Sequence, residues 1–456
     1  MVMQARDIAV CTNGYILSGD PEISFSSVST DSRSITNDSL FIALRGEHFN
    51  GHAFIREAIA KGATGAVVME ETPRHPCVII SVDDTLQALG DIAAHWRNQY
   101  SLGVVGVTGS TGKTTVKEFC ASILSLQGRC LKTEKNYNNL IGVPLSLLKL
   151  NPGYEFAVIE MGTNRFGEID RLSFITRPVV SIITNINPVH LNGLRNISGI
   201  IREKQAIFRN TVKYGTAVIN PSLEHMDRIE IPSGLHVITY SHTEQADISL
   251  NKVSTMDLEG SDIEIDLAGS TVKTHVGLPG YHNIINALGA CACAVGLNID
   301  PDLIAEGIQT ARFPGMRSEI IISDHISIIN DSYNANPASM KAALAMLVSS
   351  PHSIKVAVLG DMLELGKDSG FWHEELGKWV AQSHIDRLIV IGEKARVVSD
   401  SAVAEGMNFE CVRVVSTMSD IVENLQDTLG KDAVVLVKAS RALHLDQVVD
   451  HLKAVA

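Results

Sequence analysis

The glycine-rich segment GVVGVTGSTGKTTVKEF, at residues 103–119, restricts the fold more than any other stretch of the chain. An apolar run, VVGVTG, leads through closely spaced glycines into a pattern of apolar residues with helical spacing. A strand that turns directly into a helix is typical of α/β folds with a parallel sheet. The usual phosphate-binding spacing, G-x-x-x-x-G-K-[ST], requires a glycine where this chain has Val107. The segment is therefore either a variant of that loop or a tight turn.

Several properties of the segment favour phosphate binding. Backbone N–H groups at a glycine-rich turn can converge on an anion, and the following helix directs its positive end towards the same place. Lys113 supplies a charge for the terminal phosphates and Thr114 a hydroxyl for Mg²⁺. The alternative is a turn with an incidental surface lysine, which rarely produces G-K-T-T at a strand-to-helix junction. We predict phosphate contacts from Gly109, Ser110, Thr111, Gly112, Lys113, Thr114 and Thr115.

Two polar residues follow neighbouring apolar strands and are candidate metal ligands. Glu160 ends the strand FAVIEMG, where a buried carboxylate is costly unless it is paired or bound to a cation. A salt-bridged or capping glutamate is an equally good interpretation of that position alone. His190 follows the strand VVSIITNI, and a lone histidine is more often structural than a ligand.

The length of 456 residues predicts about three domains. We place an N-terminal α/β domain at residues 1–100, a central domain at 101–312 and a C-terminal domain at 313–456. Strands alternating with helices predict a parallel sheet in the central domain, and residues 236–276 suggest an antiparallel β insert. The C-terminal segment reads as a second open α/β sheet of Rossmann-like type, but without a G-x-G-x-x-G fingerprint.

Composition excludes several classes of function. The net charge of −13 disfavours binding to nucleic acid or to anionic membranes. No basic run precedes an apolar core at the N-terminus, and no apolar stretch reaches the roughly 20 residues that a membrane span needs. The seven cysteines form no C-x-x-C pair. We therefore expect a cytoplasmic protein, taken to be a monomer.

Other nucleotide-dependent and hydrolytic classes lack their motifs here. There is no N-K-x-D for guanine, no H-R-D or D-F-G pair of a kinase, and no H-E-x-x-H or G-x-S-x-G. Instead, GVTGSTGKTTVKE, NYNNLIGVPLSLL, AVIEMGTN, GYHNIINALGA, FPGMR and NDSYNANPASM together resemble the Mur ligases of peptidoglycan synthesis. The resemblance extends from residue 30 to about residue 445. That family uses T-G-x-x-G-K-T-[ST], so Val107 is expected in its version of the loop.

The resemblance implies the reaction and its reactants. A Mur ligase uses ATP to phosphorylate the terminal carboxylate of a UDP-N-acetylmuramoyl-peptide, and an incoming amine then attacks the acyl phosphate. The stretch DSYNANPAS favours members that add D-alanyl-D-alanine to the tripeptide. The alternatives are the related ligase that adds the third amino acid, whose D-N-P motif is absent here, and a non-catalytic nucleotide-binding scaffold.

The resemblance also assigns metal and nucleotide roles. Thr114 and Glu160 would hold one Mg²⁺, and His190 would contribute to a second. Lys204 matches a lysine that is carbamylated in the family, although its sequence context alone predicts a solvated helix lysine. Lys113, Glu160, His190 and Lys204 are thus the candidate catalytic residues. The predicted adenine-side and nucleotide contacts, which could otherwise be caps, turn residues or a linker charge, are Asn283, Asn286, Arg317 and Asp331.

Candidate substrate contacts lie in all three predicted domains. In the N-terminal domain the UDP-sugar would contact Ser29, Thr30, Asp31, Ser32, Arg33, Arg45 and Gly46, although a polar hairpin turn is the plainer interpretation of these residues. The muramyl-peptide would pass Asn136, Asn138 and Asn139, which could also be turn residues. Candidates on the incoming-amine side are Asn334, Asp361 and His444. Asn336 followed by Pro337 predicts a helix start.

Overall fold

The computed structural model describes residues 2–47, 49–322, 326–428 and 431–455. Three large sheets follow one another along the chain, each with helices packed against it. The α/β fold predicted from the sequence is confirmed. We use the names N-terminal, central and C-terminal region for the described parts of residues 1–100, 101–312 and 313–456.

The N-terminal region is built on a five-stranded sheet in the order β2-β7-β6-β5-β4, in which only β2 runs antiparallel to its neighbour. Parallel pairing of β4 with β5 places the loops that follow them at the same edge of the sheet. The elements are β1 (Met3–Gln4), α1 (Ala5–Cys11), β2 (Tyr15–Ser18), β3 (Ser24–Phe25), β4 (Ser27–Ser29), β5 (Ser39–Ile42), α2 (Ile55–Ala60), β6 (Ala63–Val68), β7 (Val78–Ser81) and α3 (Thr85–Arg97).

The central region contains a nine-stranded sheet in the order β16-β15-β14-β13-β12-β11-β8-β10-β9. Its strands are β8 (Gly103–Thr108), β9 (Cys130–Lys132), β10 (Phe156–Glu160), β11 (Val180–Ile183), β12 (Thr216–Ile219), β13 (His236–Ser241), β14 (Ile248–Met256), β15 (Ser261–Leu267) and β16 (Ser270–Val276). Its helices are α4 (Lys113–Gln127), α5 (Gly142–Leu147), α6 (Glu168–Thr176), α7 (Leu191–Leu194), α8 (Ile197–Lys204), α9 (Tyr281–Gly296) and α10 (Pro301–Gln309).

The prediction that residues 236–276 form an antiparallel β insert is wrong in part. β13 pairs parallel with β12, and β14 pairs parallel with β13, so both extend the main sheet. Antiparallel pairing is confined to β14, β15 and β16. The segment between β12 and β13 carries the chain back to the opposite end of the sheet, so β13 runs in the same direction as β12. Alternation of apolar residues within one strand carries no information about that return.

The C-terminal region contains a six-stranded sheet in the order β17-β18-β22-β19-β20-β21, in which only β17 is antiparallel. Its first helix begins at the predicted place, where Asn336 forms a capping box with Ser339 and Pro337 occupies the first turn. The strands are β17 (Glu319–Ile322), β18 (Ser327–Asn330), β19 (Ile354–Gly360), β20 (Arg387–Ile391), β21 (Val412–Val415) and β22 (Ala433–Lys438). The helices are α11 (Pro337–Ser349), α12 (Ser369–Gln382), α13 (Ala395–Ala404), α14 (Met418–Leu425) and α15 (Asp446–Val455).

One hydrophobic core joins the N-terminal and central regions. A continuous cluster of buried residues extends from Met3 to Met226 and includes the inner face of α3. α3 begins where Asp84 caps the N–H groups of Leu86 and Gln87, and it packs against α5 and α6. The C-terminal region has two clusters of its own, to which the rest of the described chain contributes one buried residue, Leu258.

Candidate active site

The site lies at the carboxyl ends of three adjacent strands in the middle of the central sheet. β8 pairs with β10 on one side and β11 on the other. The register sets Glu160 opposite Val107 and Ile183 opposite Thr108, so three loops leave the sheet at one level. Open α/β sheets bind their ligands in this position.

The glycine loop ends at the start of α4, a helix of 15 residues. Its N-cap, Gly112, has φ of +77° and offers no side-chain cap, so the first N–H groups of the helix remain available to a ligand. A Cβ atom on Gly112 would lie 2.3 Å from the Oδ1 of Asn286 on α9. The backbone conformation therefore favours glycine, and a Cβ atom would also have to displace the Asn286 side chain.

The loop after β11 fixes the shape of the glycine loop. The N–H of Thr111 donates to the Oδ1 of Asn185 at 2.9 Å, and the N–H of Ser110 donates to the Asn185 carbonyl at 3.0 Å. Thr184 donates its hydroxyl to the Thr111 carbonyl at 2.5 Å, and Ser110 donates to the Asn187 carbonyl at 2.9 Å. These bonds hold the loop in one conformation.

Two lysines reach the loop from different helices. The Nζ of Lys113 donates to the carbonyls of Gly109, at 2.8 Å, and Ser110, at 3.2 Å. The Nζ of Lys204 donates to the same Gly109 oxygen at 2.8 Å. Burial lowers the pKa of both amines, and the nearby Lys113 charge lowers that of Lys204 further. Lys204 is therefore a buried residue of the site, and the alternative of a solvated helix lysine is wrong.

Thr114 and Glu160 meet as predicted for a metal site. The Thr114 hydroxyl donates to the Oε2 of Glu160 at 2.9 Å, and the side-chain amide of Asn138 donates to Oε1 at 2.8 Å. The Glu160 side chain is buried, with 2% exposure. A hydroxyl and a carboxylate at this spacing are the hard oxygen ligands that Mg²⁺ prefers, so these residues fit that ion.

His190 is paired with the C-terminal region instead of with Glu160. Its Nδ1 lies 2.6 Å from the Oε2 of Glu364. The hydrogen bond from His190 lowers the pKa of the Glu364 carboxyl. Among the residues that the structure describes, no group of three or more His, Cys, Asp or Glu is arranged to hold a metal ion. Of the four predicted metal ligands, Glu160 and His190 belong to those residue types, so a site that also includes Thr114 and Lys204 stays a prediction.

The predicted nucleotide residues lie on α9 and on the segment that enters the C-terminal region. Asn283 donates to the Pro279 carbonyl at 2.8 Å, and the Asn286 amide lies 3.3 Å from the Asn283 Oδ1. Asn286 also adjoins Gly112 of the glycine loop. Its contact with a nucleotide stays a prediction.

Arg317 and Asp331 are held at the entrance to the C-terminal region. The Arg317 guanidinium lies 3.7 Å from the centre of the Tyr333 ring, and its charge contributes to the lowered pKa of Lys113. Asp331 accepts from the Ser318 N–H at 3.0 Å and from the buried Nζ of Lys438 at 2.5 Å. Lys438 also donates to the Asn334 carbonyl at 2.9 Å, so it ties two predicted site residues together.

The N-terminal candidates form two groups at the same edge of the five-stranded sheet. Asp31 binds the Arg33 guanidinium at 2.8 Å, which lowers the pKa of that carboxyl to about 2. Ser29 accepts from the Asp31 N–H at 3.0 Å. Arg45 binds Glu70 at 3.0 Å. Thr30 and Ser32 lie within the first group and Gly46 adjoins Arg45.

Of the four remaining candidates, Asn139 and Asp361 accept hydrogen bonds from backbone N–H groups. Asn139 caps the N–H groups of Ile141 and Gly142, whereas Asn136 is exposed. The Asp361 carboxylate accepts from the N–H groups of Glu393 and Lys394, at 2.8 and 3.1 Å. His444 is exposed and has φ of +51°. Substrate contact by these four residues stays a prediction.

Three residues of the site were missed from the sequence: Asn185, Glu364 and Lys438. Asn185 follows β11 and Lys438 ends β22, so the position of each at a strand end was the available signal. Glu364 meets His190 only because two regions, separated by 174 residues, come together. No local pattern could have indicated that contact.

Three family descriptions match consecutive parts of the chain. They are the Mur ligase family, catalytic domain at residues 24–97, the Mur ligase middle domain at 107–294, and the Mur ligase, glutamate ligase domain at 316–441. The chain belongs to the Mur ligase family, as its sequence motifs predicted, and is an ATP-dependent ligase that forms a C–N bond.

Similar proteins indicate which members of the Mur ligase family this chain resembles. The UDP-N-acetylmuramoyl-tripeptide--D-alanyl-D-alanine ligase of Buchnera aphidicola subsp. Baizongia pistaciae is 36% identical over 98% of this chain and 95% of that protein. A crystal structure of MurF from Acinetobacter baumannii has a TM-score of 0.92 and 30% identity, over 99% of both chains. The MurF ligase of Thermotoga maritima in complex with ADP has a TM-score of 0.83 and 26% identity, over 93% of this chain and 96% of that one.

Within the described residues, no helix has the length and apolar character needed to cross a bilayer.

Proposed function

We propose that this chain joins D-alanyl-D-alanine to UDP-N-acetylmuramoyl-tripeptide and converts ATP to ADP and phosphate, in the synthesis of peptidoglycan precursors. The observation that carries the proposal is the pairing of Thr114 with Glu160 beside a loop that presents Lys113 and an uncapped helix N-terminus. The full-length similarity to a ligase with this printed activity supports the choice of substrates.

The chemistry explains why a phosphate-binding loop belongs in an amide ligase. A carboxylate does not acylate an amine at neutral pH because its leaving group would be oxide. Transfer of a phosphoryl group from ATP supplies a good leaving group, and the amine then displaces phosphate. Positive charge aimed at the transferring group lowers the barrier, and Lys113 with the N-terminus of α4 provides it. To do so, Lys113 exchanges the Gly109 carbonyl for phosphate oxygens.

Thr114 and Glu160 would hold a Mg²⁺ ion, which would neutralise charge on the phosphates. Asn138 fixes the orientation of Glu160 by donating to its other oxygen, so one oxygen faces the hydroxyl. We assign His190 and a carbamate on Lys204 to a second ion. The depressed pKa of Lys204 supports the carbamate, because the neutral amine is the form that adds to CO₂.

Each region has one role in the proposal. Residues 1–100 bind the UDP-sugar at the edge that carries Asp31 and Arg45, residues 101–312 bind ATP, and residues 313–456 bind the incoming dipeptide. We further propose that the chain acts as a monomer in the cytoplasm.

A matrix assay of phosphate release tests the function. UDP-N-acetylmuramoyl-dipeptide and -tripeptide are each combined with single amino acids or with D-alanyl-D-alanine. We expect release only with tripeptide and D-alanyl-D-alanine together, and its loss in Lys113→Ala with the thermal transition retained. Release with the dipeptide and a single amino acid would identify the related ligase instead. Product formation by Lys113→Ala at the wild-type rate would indicate a scaffold.

A further inference from the structure

The contact between His190 and Glu364 joins the central region to the C-terminal region. The 2.6 Å separation of Nδ1 and Oε2 is that of a strong, charge-assisted hydrogen bond. Both residues have a left-handed backbone, with φ of +52° and +63°. Such conformations cost free energy in non-glycine residues and persist where the surroundings impose them. The geometry of the pair is therefore imposed by the two loops that carry it.

Hydrogen bonds to the segments after β20 and β22 hold the loop that carries Glu364. The hydroxyl oxygen of Ser440, after β22, accepts from the N–H of Leu363 at 2.8 Å, and the Ser440 N–H donates to the carbonyl of Asp361 at 3.0 Å. The Asp361 carboxylate in turn accepts from the N–H groups that follow β20. Glu364 thus projects from a loop tied to two neighbouring strand ends, which fixes where its carboxylate lies.

The loops that carry His190 and Glu364 also approach each other at a second place. A Cβ atom on Gly366, whose φ is +58°, would lie 2.9 Å from the Oδ1 of Asn192. The left-handed backbone favours glycine at this position, and a larger residue would displace the end of the Asn192 side chain. The contact between the two loops therefore extends beyond the His190–Glu364 pair.

The direction of the hydrogen bond decides the state of the imidazole. An ionised carboxylate can only accept, so the proton of a neutral His190 ring resides on Nδ1. The lone pair then resides on Nε2, which is free to act as a ligand. Histidines that bind metals commonly donate their other ring nitrogen to a carboxylate in this way, and that partner fixes both tautomer and orientation.

We propose that Glu364 is a positioning residue for His190: the docked C-terminal region holds the imidazole with Nε2 presented for the second metal ion. This inference rests on the proposed function, since it gives His190 a ligand role. Docking of the region that carries the amine substrate would thereby also complete the ligand set at the phosphate site. The two events become coupled through one carboxylate.

The test compares Glu364→Ala, Glu364→Gln and the control Glu374→Gln. Glu374 is an exposed carboxylate of α12 in the same region, paired with Lys378 at 3.1 Å. The first readout is the ¹⁵N spectrum of histidine-labelled, metal-free protein, in which the His190 signals are assigned by their loss in His190→Gln. We expect the Nδ1–H form in wild type and in Glu374→Gln, and a shift towards Nε2–H in Glu364→Ala.

The second readout is Mn²⁺ binding measured by electron paramagnetic resonance with a non-hydrolysable ATP analogue. We expect affinity at the weaker site to fall about 10- to 100-fold in Glu364→Ala, with a smaller fall in Glu364→Gln, whose amide oxygen still accepts. Wild-type tautomer and Mn²⁺ affinity in Glu364→Ala would overturn the inference. Failure of the wild-type protein to form the ligation product would overturn the proposed function instead, and the tautomer measurement does not depend on it.

Discussion

The side-chain amines of Lys113 and Lys204 both donate to the carbonyl oxygen of Gly109, each at 2.8 Å. Two cations on different helices thus share one acceptor in a buried site. Their mutual repulsion adds to the cost of burial, and the pKa of Lys204 falls well below its ordinary value. The arrangement therefore favours the neutral amine of Lys204, next to the glycine loop, more than that of an exposed lysine.

Lys204 is expected to form a carbamate. The free amine adds to CO₂, and its fraction grows as the pH rises through the lowered pKa of Lys204. Protein equilibrated with ¹³C-bicarbonate should give a carbamate signal in the ¹³C spectrum. The signal should be absent in Lys204→Gln. A signal of equal intensity in that variant would assign the carbamate to another amine.

Glu160→Gln should abolish most of the Mg²⁺-dependent phosphate release. The substitution removes a buried charge that Thr114 and Asn138 orient, and loss of one such electrostatic contact lowers kcat by about 10²- to 10³-fold. Glu155→Gln is the matched control because Glu155 precedes the opposite end of the same strand and is exposed. Activity and Mg²⁺ dependence like those of the control would remove Glu160 from the metal site.

Gly112→Ala should weaken both folding and nucleotide binding. A left-handed conformation costs an alanine about 1–2 kcal/mol, and the new Cβ would also lie 2.3 Å from Asn286. Gly167→Ala separates these effects, because Gly167 has φ of +90° but nothing within 4 Å of its Cβ position. We expect a lower Tm for Gly112→Ala than for Gly167→Ala, and a loss of ATP-analogue affinity only in the former. Equal behaviour of the two variants would contradict the contact with α9.

His282, at the start of α9, should reduce stability in acid. Burial lowers its pKa from 6.5 to about 4, with Asp331 opposing and Lys438 reinforcing the shift. Below pH 6.5 the unfolded chain therefore binds the proton more strongly than the folded chain. The stability present above pH 6.5 is lost as the pH falls to about 4, by up to about 3 kcal/mol.

The measurement is the Tm of nucleotide-free wild type and His282→Gln between pH 8 and pH 4. We expect the wild type to lose more stability than the variant over the interval from pH 6.5 to 4, because only the wild type carries this titration. Parallel curves for the two proteins would show that His282 does not titrate in the manner described.

The sequence contained most of what organises the central region. A buried strand, a glycine turn and an amphipathic helix are local patterns, so β8 and α4 could be predicted together with the positions of Lys113 and Thr114 at the start of α4. The meeting of Glu160 with Thr114 followed from the parallel order of neighbouring strands. The position of His190 was beyond that reasoning, because Glu364 approaches it from another region. The prediction of an antiparallel β13 was wrong because the direction of a strand depends on the segment that connects it to the preceding strand. The alternation of apolar and polar residues within β13 does not encode that connection.

The buried cluster shared by the N-terminal and central regions determines which distances in the molecule are constant. Trp96 of α3 donates its indole N–H to the carbonyl of Leu150 at 3.0 Å, and a shift between the two regions would break this bond and expose the cluster. The C-terminal region has separate clusters, to which the rest of the described chain contributes the one buried residue Leu258. The shared cluster therefore fixes the distance from the edge at Asp31 to the glycine loop. Under the proposed function, a substrate held by its sugar at this edge would bring its terminal carboxylate to the loop only if its peptide had the right number of residues.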